Sequence, residues 1–229
     1  MKRVLVFAIA ALLAASTAAG ESGPKAKIYI HGGFVSGKAY LDMPNLRKLA
    51  YVTGLLDGMF LAPVVGGTVT RQAWFGLCVD TLGRPGIRDI LVRRLRENDR
   101  TWDNRNPAKV YRAIRAGCKK GEKPASAKPE RRQQGGYMTG KTYLDMNGLQ
   151  KLSYVGGLVE GVFLTPAFGA NAVALKPFVT CVDRLRWSGV LKAVNKRLLA
   201  EPKLWGSYDP EPRFRAILAA CAKAPGEQK

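Results

Sequence analysis

The sequence contains itself twice. Displaced by 103 positions, GKAYLDM at Gly37 meets GKTYLDM at Gly140, and the register holds without a gap from Gly37 to Lys120, where 34 of 84 positions are identical. Tyr51 falls on Tyr154, Phe60 on Phe163, Cys78 on Cys181, Trp102 on Trp205 and Cys118 on Cys221. A period near 100 is much longer than the roughly 20–50 residues of a solenoid unit, so each copy is expected to carry its own core. The expected division is residues 35–120 and 137–225. Between them, residues 121–136, GEKPASAKPERRQQGG, have the composition of an exposed linker. Domains of this size fold with little stability in reserve, which makes a covalent staple useful.

Export is expected from residues 1–20, MKRVLVFAIAALLAASTAAG, which have the layout of a signal peptide. Lys2 and Arg3 form a positive start, Val4 to Ala15 an apolar run, and STAA the small residues that suit cleavage. The run is short for a membrane span, and no stop-transfer pattern follows it. In an oxidising compartment, an even number of cysteines at a repeated spacing argues for disulfides. Four cysteines allow three pairings. Duplication favours Cys78–Cys118 and Cys181–Cys221, each pair 40 residues apart, because a copied domain had to fold before it was copied. No CxxC occurs and the one histidine, His31, lies outside the repeat, so no metal site and no cofactor are expected.

Apolar spacing is helical and strand patterning is weak, so the expected class is all-α, with about four helices in each copy. NLRKLAYVTGLLDGMFLAPV places Leu46, Leu49, Val52, Leu56, Met59 and Phe60 in steps of three and four. Gly54 and Gly58 recur as Gly157 and Gly161. Each costs about 1 kcal/mol in a helix interior relative to alanine, so a repeated pair calls for a face that another helix approaches closely. A second helix is expected to hold Trp74, Phe75, Cys78 and Leu82 on one face, and a third, GIRDILVRRLREN, to turn its arginines outward. Asn106-Pro107 and Asp209-Pro210 open the fourth, on which Val110, Ile114 and Cys118 share a stripe matched by Arg213, Ile217 and Cys221. Asp42 and Asp145 precede the long apolar helix. With Tyr40 and Tyr143 they read either as caps and packing or as a paired surface contact.

No set of nucleophile, base and orienting group is present, so no catalytic residue is assigned. The acids kept in both copies are Asp42/Asp145, Asp57/Glu160 and Asp80/Asp183, and none lies beside another in the sequence. The net charge is +20, or +18 without Lys2 and Arg3, with +10 in residues 21–120 and +6 in residues 137–229. Such a field attracts anions without naming a partner. Arg88, Arg93, Arg96, Arg100 and Arg112 are the candidate basic contact face. Aromatic residues interleaved with them are few, which disfavours nucleic acid. For an exported chain, anionic lipid, lipopolysaccharide and other envelope polyanions are the nearer alternatives.

Together these residues resemble a known family. AYVTGLLDGMF and SYVGGLVEGVF are similar to the Tyr-x-x-Gly-x-x-(Asp/Glu)-Gly helix of the Rap1a/Tai immunity-protein domain. CVDTLGRPGIRDILVRRLREN resembles that family's cysteine-led turn and amphipathic helix, and PAKVYRAIRAGC and PEPRFRAILAAC its closing helix. The resemblance implies small, exported, disulfide-stabilised helical domains of the periplasm. Characterised members bind and block wall-degrading effectors delivered by type VI secretion. Met43-Pro44 and Met146-Asn147 stand where members often have a cysteine, and the family's Phe-Pro-Cys ending is Ala-Gly-Cys or Ala-Ala-Cys here. The expectation is a non-enzymatic binder that occludes such an effector, with envelope polyanion binding or an assembly role as alternatives.

Overall fold

A computed structural model of the chain describes residues 35–97, 107–119 and 136–223. The expected signal peptide, nearly all of the linker, Arg100 and Trp102 lie outside the described residues. The described chain is all-helical, and each copy contributes four α-helices. The first lobe holds α1 (Gly37–Asp42), α2 (Asn45–Phe60), α3 (Val69–Glu97) and α4 (Pro107–Lys119). The second holds α5 (Gly140–Asp145), α6 (Gly148–Phe163), α7 (Lys176–Ala200) and α8 (Glu211–Lys223). Among the described residues no helix is long and apolar enough to cross a membrane.

Local chemistry sets the helix starts. Ser36 and Thr139 cap α1 and α5, each hydroxyl accepting from the backbone N–H three residues on, at 3.2 and 3.0 Å. Asn147 opens α6 in a reciprocal box with Gln150, while α2 begins after Pro44 with no side-chain cap. Asp209 accepts from Glu211 N–H at 2.9 Å at the start of α8, as the Asp-Pro signal predicts. Asp42 and Asp145 are not the caps expected of them. The GKAYLD and GKTYLD segments are short helices of their own, so each aspartate ends one helix rather than starting the next. Both are exposed and paired with the lysine one turn earlier, Lys38 and Lys141. Tyr40 and Tyr143 are buried packing residues, which removes them from any surface contact.

The second and third expected helices of each copy form one run broken by a single residue of positive φ. That residue is Gly83 at 64° in α3 and Arg186 at 58° in α7. At ψ of 171° and 167°, this conformation is open to glycine and strained for any L side chain, so Arg186 carries a cost that Gly83 does not. Disulfides Cys78–Cys118 and Cys181–Cys221 tie α3 to α4 and α7 to α8, with Cα separations of 5.7 and 5.4 Å. The within-copy pairing expected from duplication is therefore the one present. Trp74 points away from the core face on which the apolar spacing placed it, and Leu46 is exposed as well.

The lobes meet through α2 and α6, the most extensive contact between described elements. The helices run parallel, Gly54 lying against Tyr154 and Leu158, and Gly58 against Leu158 and Val162. The relation is reciprocal, with Gly157 against Tyr51 and Leu55, and Gly161 against Leu55 and Met59. A Cβ at Gly54 would come within 2.8 Å of Leu158 N, and one at Gly161 within 2.8 Å of Met59 N. These neighbours are backbone atoms that cannot step aside. The glycine strip is thus the close-packing face its spacing predicts, and what it packs against is its own copy.

Two apolar clusters form, one centred on each lobe, and each draws on the other. Ala50 and Leu61 join the second cluster, and Tyr137, Leu164 and Phe168 the first. Phe168 sits between Phe75 and Tyr111, with ring centroids 5.2 and 5.7 Å away.

Candidate functional site

Where α2 and α6 cross, the acids kept in both copies are held by the opposite lobe. Asp57 accepts from Tyr154 Oη at 2.9 Å and from Tyr137 N–H at 2.8 Å. Glu160 accepts from Tyr51 Oη and, at 2.7 Å, from Val35 N–H. Each signature helix therefore sends its tyrosine to the carboxylate of its duplicate. Helical geometry explains the spacing: tyrosine, glycine, acid and glycine at i, i+3, i+6 and i+7 share one face, so the polar groups flank the strip of close approach.

All these side chains are withdrawn from solvent, and desolvation governs their ionisation. Burial pushes Glu160 up to about 8, against the hydrogen bonds from Tyr51 and Val35 that favour its charged form. Asp57 is pushed up to about 6 by the same cause, opposed first by the charge of Arg213. Arg213 lies on the inward stripe of α8, 1% exposed, with Nη2 4.0 Å from Asp57 and 2.8 Å from Met138 O, to which it donates. Its guanidinium also lies over the Tyr154 ring, 5.6 Å from the centroid. The register partner of Arg213 is Val110, so Glu160 has no equivalent cation. Of the two buried acids, Asp57 faces a cation and Glu160 does not. Burial also raises Tyr51 and Tyr154 well above the ordinary phenol range.

The candidate basic face is less uniform than its sequence suggests. Arg93 and Arg96 on α3 and Arg112 on α4 are exposed, whereas Arg88 is half-buried and bonded to Asp89 at 2.7 Å. Register places Leu191, Lys196 and Leu199 of α7 at the positions of Arg88, Arg93 and Arg96. There they line an open groove with Ser188, Lys192 and Asn195, so the matching surfaces differ in chemistry. The sequence did mark Asp57 and Glu160 as retained, and it marked Arg213 as one of an otherwise apolar stripe. It did not join them, because the hydrogen bonds to the two acids span 80 to 125 positions.

No group of three or more histidine, cysteine or acidic side chains suited to a metal occurs among the described residues. Comparison of the chain with protein-family models, with curated proteins and with solved structures found no match.

Proposed function

We propose that this chain is a non-enzymatic binding protein of the periplasm, an immunity-type inhibitor that covers the active cleft of a wall-degrading effector. One observation carries the reading. All eight residues of the doubled signature, Tyr51, Gly54, Asp57 and Gly58 with Tyr154, Gly157, Glu160 and Gly161, are buried in the contact between the lobes. A reacting group must touch its substrate, and these acids touch tyrosines and backbone instead. The most strongly repeated chemistry is thus committed to architecture, and recognition falls to exposed residues that differ between the copies.

The two disulfides fit an oxidising, non-cytoplasmic compartment. A stapled two-lobe body presents a broad surface at small entropic cost on binding, which suits occlusion. The test is capture of the tagged exported protein from its own envelope, washed at low and then high salt. A single protein should survive the high-salt wash, and an equimolar amount of this chain should stop it hydrolysing cell wall. Release by salt of everything bound, all of it anionic polymer or lipid, would overturn the reading.

A further inference from the structure

The first half of α3 shows solvent a stripe of apolar side chains that the duplicate lacks. Val69, Ala73 and Leu77 stand four residues apart on one face with Trp74 beside them, and Val69 and Leu77 are 67% and 74% exposed. The preceding 3-10 turn, Ala62–Val65, adds exposed Pro63 and Val64. Register puts Ala172, Pro177 and Thr180 in place of Val69, Trp74 and Leu77. The two lobes share a fold, so folding does not require the stripe. An exposed apolar patch of this kind marks a surface that something covers.

The surrounding charge says what kind of partner fits. Residues 58–79 contain no Asp or Glu, and neither does α4, which packs beside this part of α3. The cations at the edge are Arg71 and Arg115, both exposed, the latter over the Trp74 ring at 5.9 Å. In the second lobe Leu218 replaces Arg115. An apolar helix face with tryptophan and arginine at its margin suits the boundary between lipid headgroups and acyl chains. The stripe lies along one convex helix rather than in a groove.

We propose that this face of the first lobe docks on an anionic lipid surface, with Val69, Leu77 and Trp74 entering the headgroup boundary and Arg71 and Arg115 meeting lipid phosphates. The assignment goes beyond the inhibitory reading and does not depend on it. It would hold the protein against the membrane while leaving the second lobe free.

The mature oxidised protein, recovered from an exporting host, is sedimented with phosphatidylcholine vesicles with and without phosphatidylglycerol. Binding is expected only with phosphatidylglycerol. Leu77→Asp should weaken it by about tenfold or more, Trp74→Ala and Arg115→Glu by less, and the second-lobe control Thr180→Asp not at all. Melting temperature confirms that each variant folds. Free glycerol phosphate should not displace the vesicles; complete displacement would reveal a soluble-phosphate site and overturn the proposal. Absence of vesicle binding, or equal binding by Leu77→Asp, would overturn it too. Effector inhibition retained by Leu77→Asp supports the lipid assignment. Inhibition lost together with vesicle binding would make the stripe a protein contact instead.

Discussion

The two lobes pose the same structural problems and solve them with different residues. In the second, the buried Tyr143 hydroxyl donates to Asn195 at 2.9 Å, whereas in the first Val92 stands at that position and the Tyr40 hydroxyl finds no partner among the described residues. Asp57 has Arg213 beside it, while Glu160 faces a lobe with Val110 in that place. The helix break is relaxed at Gly83 and strained at Arg186. Duplication supplies a control within one molecule. What both copies keep, the glycine strip and the crossed tyrosines, holds the lobes together, and what one copy lacks can be substituted to learn its worth.

The largest effect is expected at the shared strip. Gly58→Val or Gly161→Val should destabilise the protein by more than about 4 kcal/mol, since backbone rather than a movable side chain blocks the new atoms. A chemical-denaturation series would show this as loss of a stable folded baseline. If either variant melted like the parent, the helices would not approach as described.

Next comes the unequal pair of acids. Arg213→Met leaves the Asp57 carboxylate buried without its cation and should cost about 3–5 kcal/mol. Glu160→Gln keeps an acceptor for Val35 N–H and turns an amide N–H toward the Tyr51 hydroxyl, and it removes an acid whose proton the unfolded chain would release, so it should not destabilise the protein at neutral pH. Equal losses from the two substitutions would refute the asymmetry.

The pH dependence follows from the same residues. Folding raises both acids, so the folded chain holds protons that the unfolded chain releases. The Glu160 contribution is complete below its unfolded value of 4.5 and is lost as pH rises through about 8. That of Asp57 is lost earlier, between 3.8 and about 6. Urea midpoints should therefore fall as pH rises across this range, and Glu160→Gln should abolish the decline above pH 6. A slope that survives the substitution would place the titrating group elsewhere.

Two smaller differences complete the comparison. Arg186→Gly should stabilise the second lobe by about 1 kcal/mol through relief of its positive φ, and Gly83→Arg should do the reverse in the first. Tyr143→Phe should cost about 1 kcal/mol and Tyr40→Phe close to nothing, since only the first breaks a hydrogen bond. Thermal melts resolve both, and equal effects at paired positions would erase the distinction between the lobes.

Helices, disulfides and the close-packing face were legible in the sequence because each follows from local spacing or from the repeat itself. What the glycine strip meets was not, since Gly-x-x-x-Gly describes a face and not its neighbour. The YLDM segments misled for a local reason: an aspartate just before an apolar run fits a cap equally well whether or not a six-residue helix ends on it. Trp74 shares helical spacing with Cys78 and Leu82, yet it lies at the margin of that face, 40% exposed with Arg115 over its ring. Of the candidate basic face, Arg93, Arg96 and Arg112 are exposed as expected. Arg88 is half-buried and paired with its neighbour Asp89.

The parallel α2–α6 contact has a consequence in mass action. Two separate chains joined through such a face would form a symmetric dimer that falls apart on dilution, with a stability that depends on protein concentration. Joining the copies in one polypeptide replaces that encounter with an internal one at fixed effective concentration. Thermal stability should then be independent of how dilute the protein becomes. It also releases the lobes from identity, because a substitution in one is no longer imposed on the other.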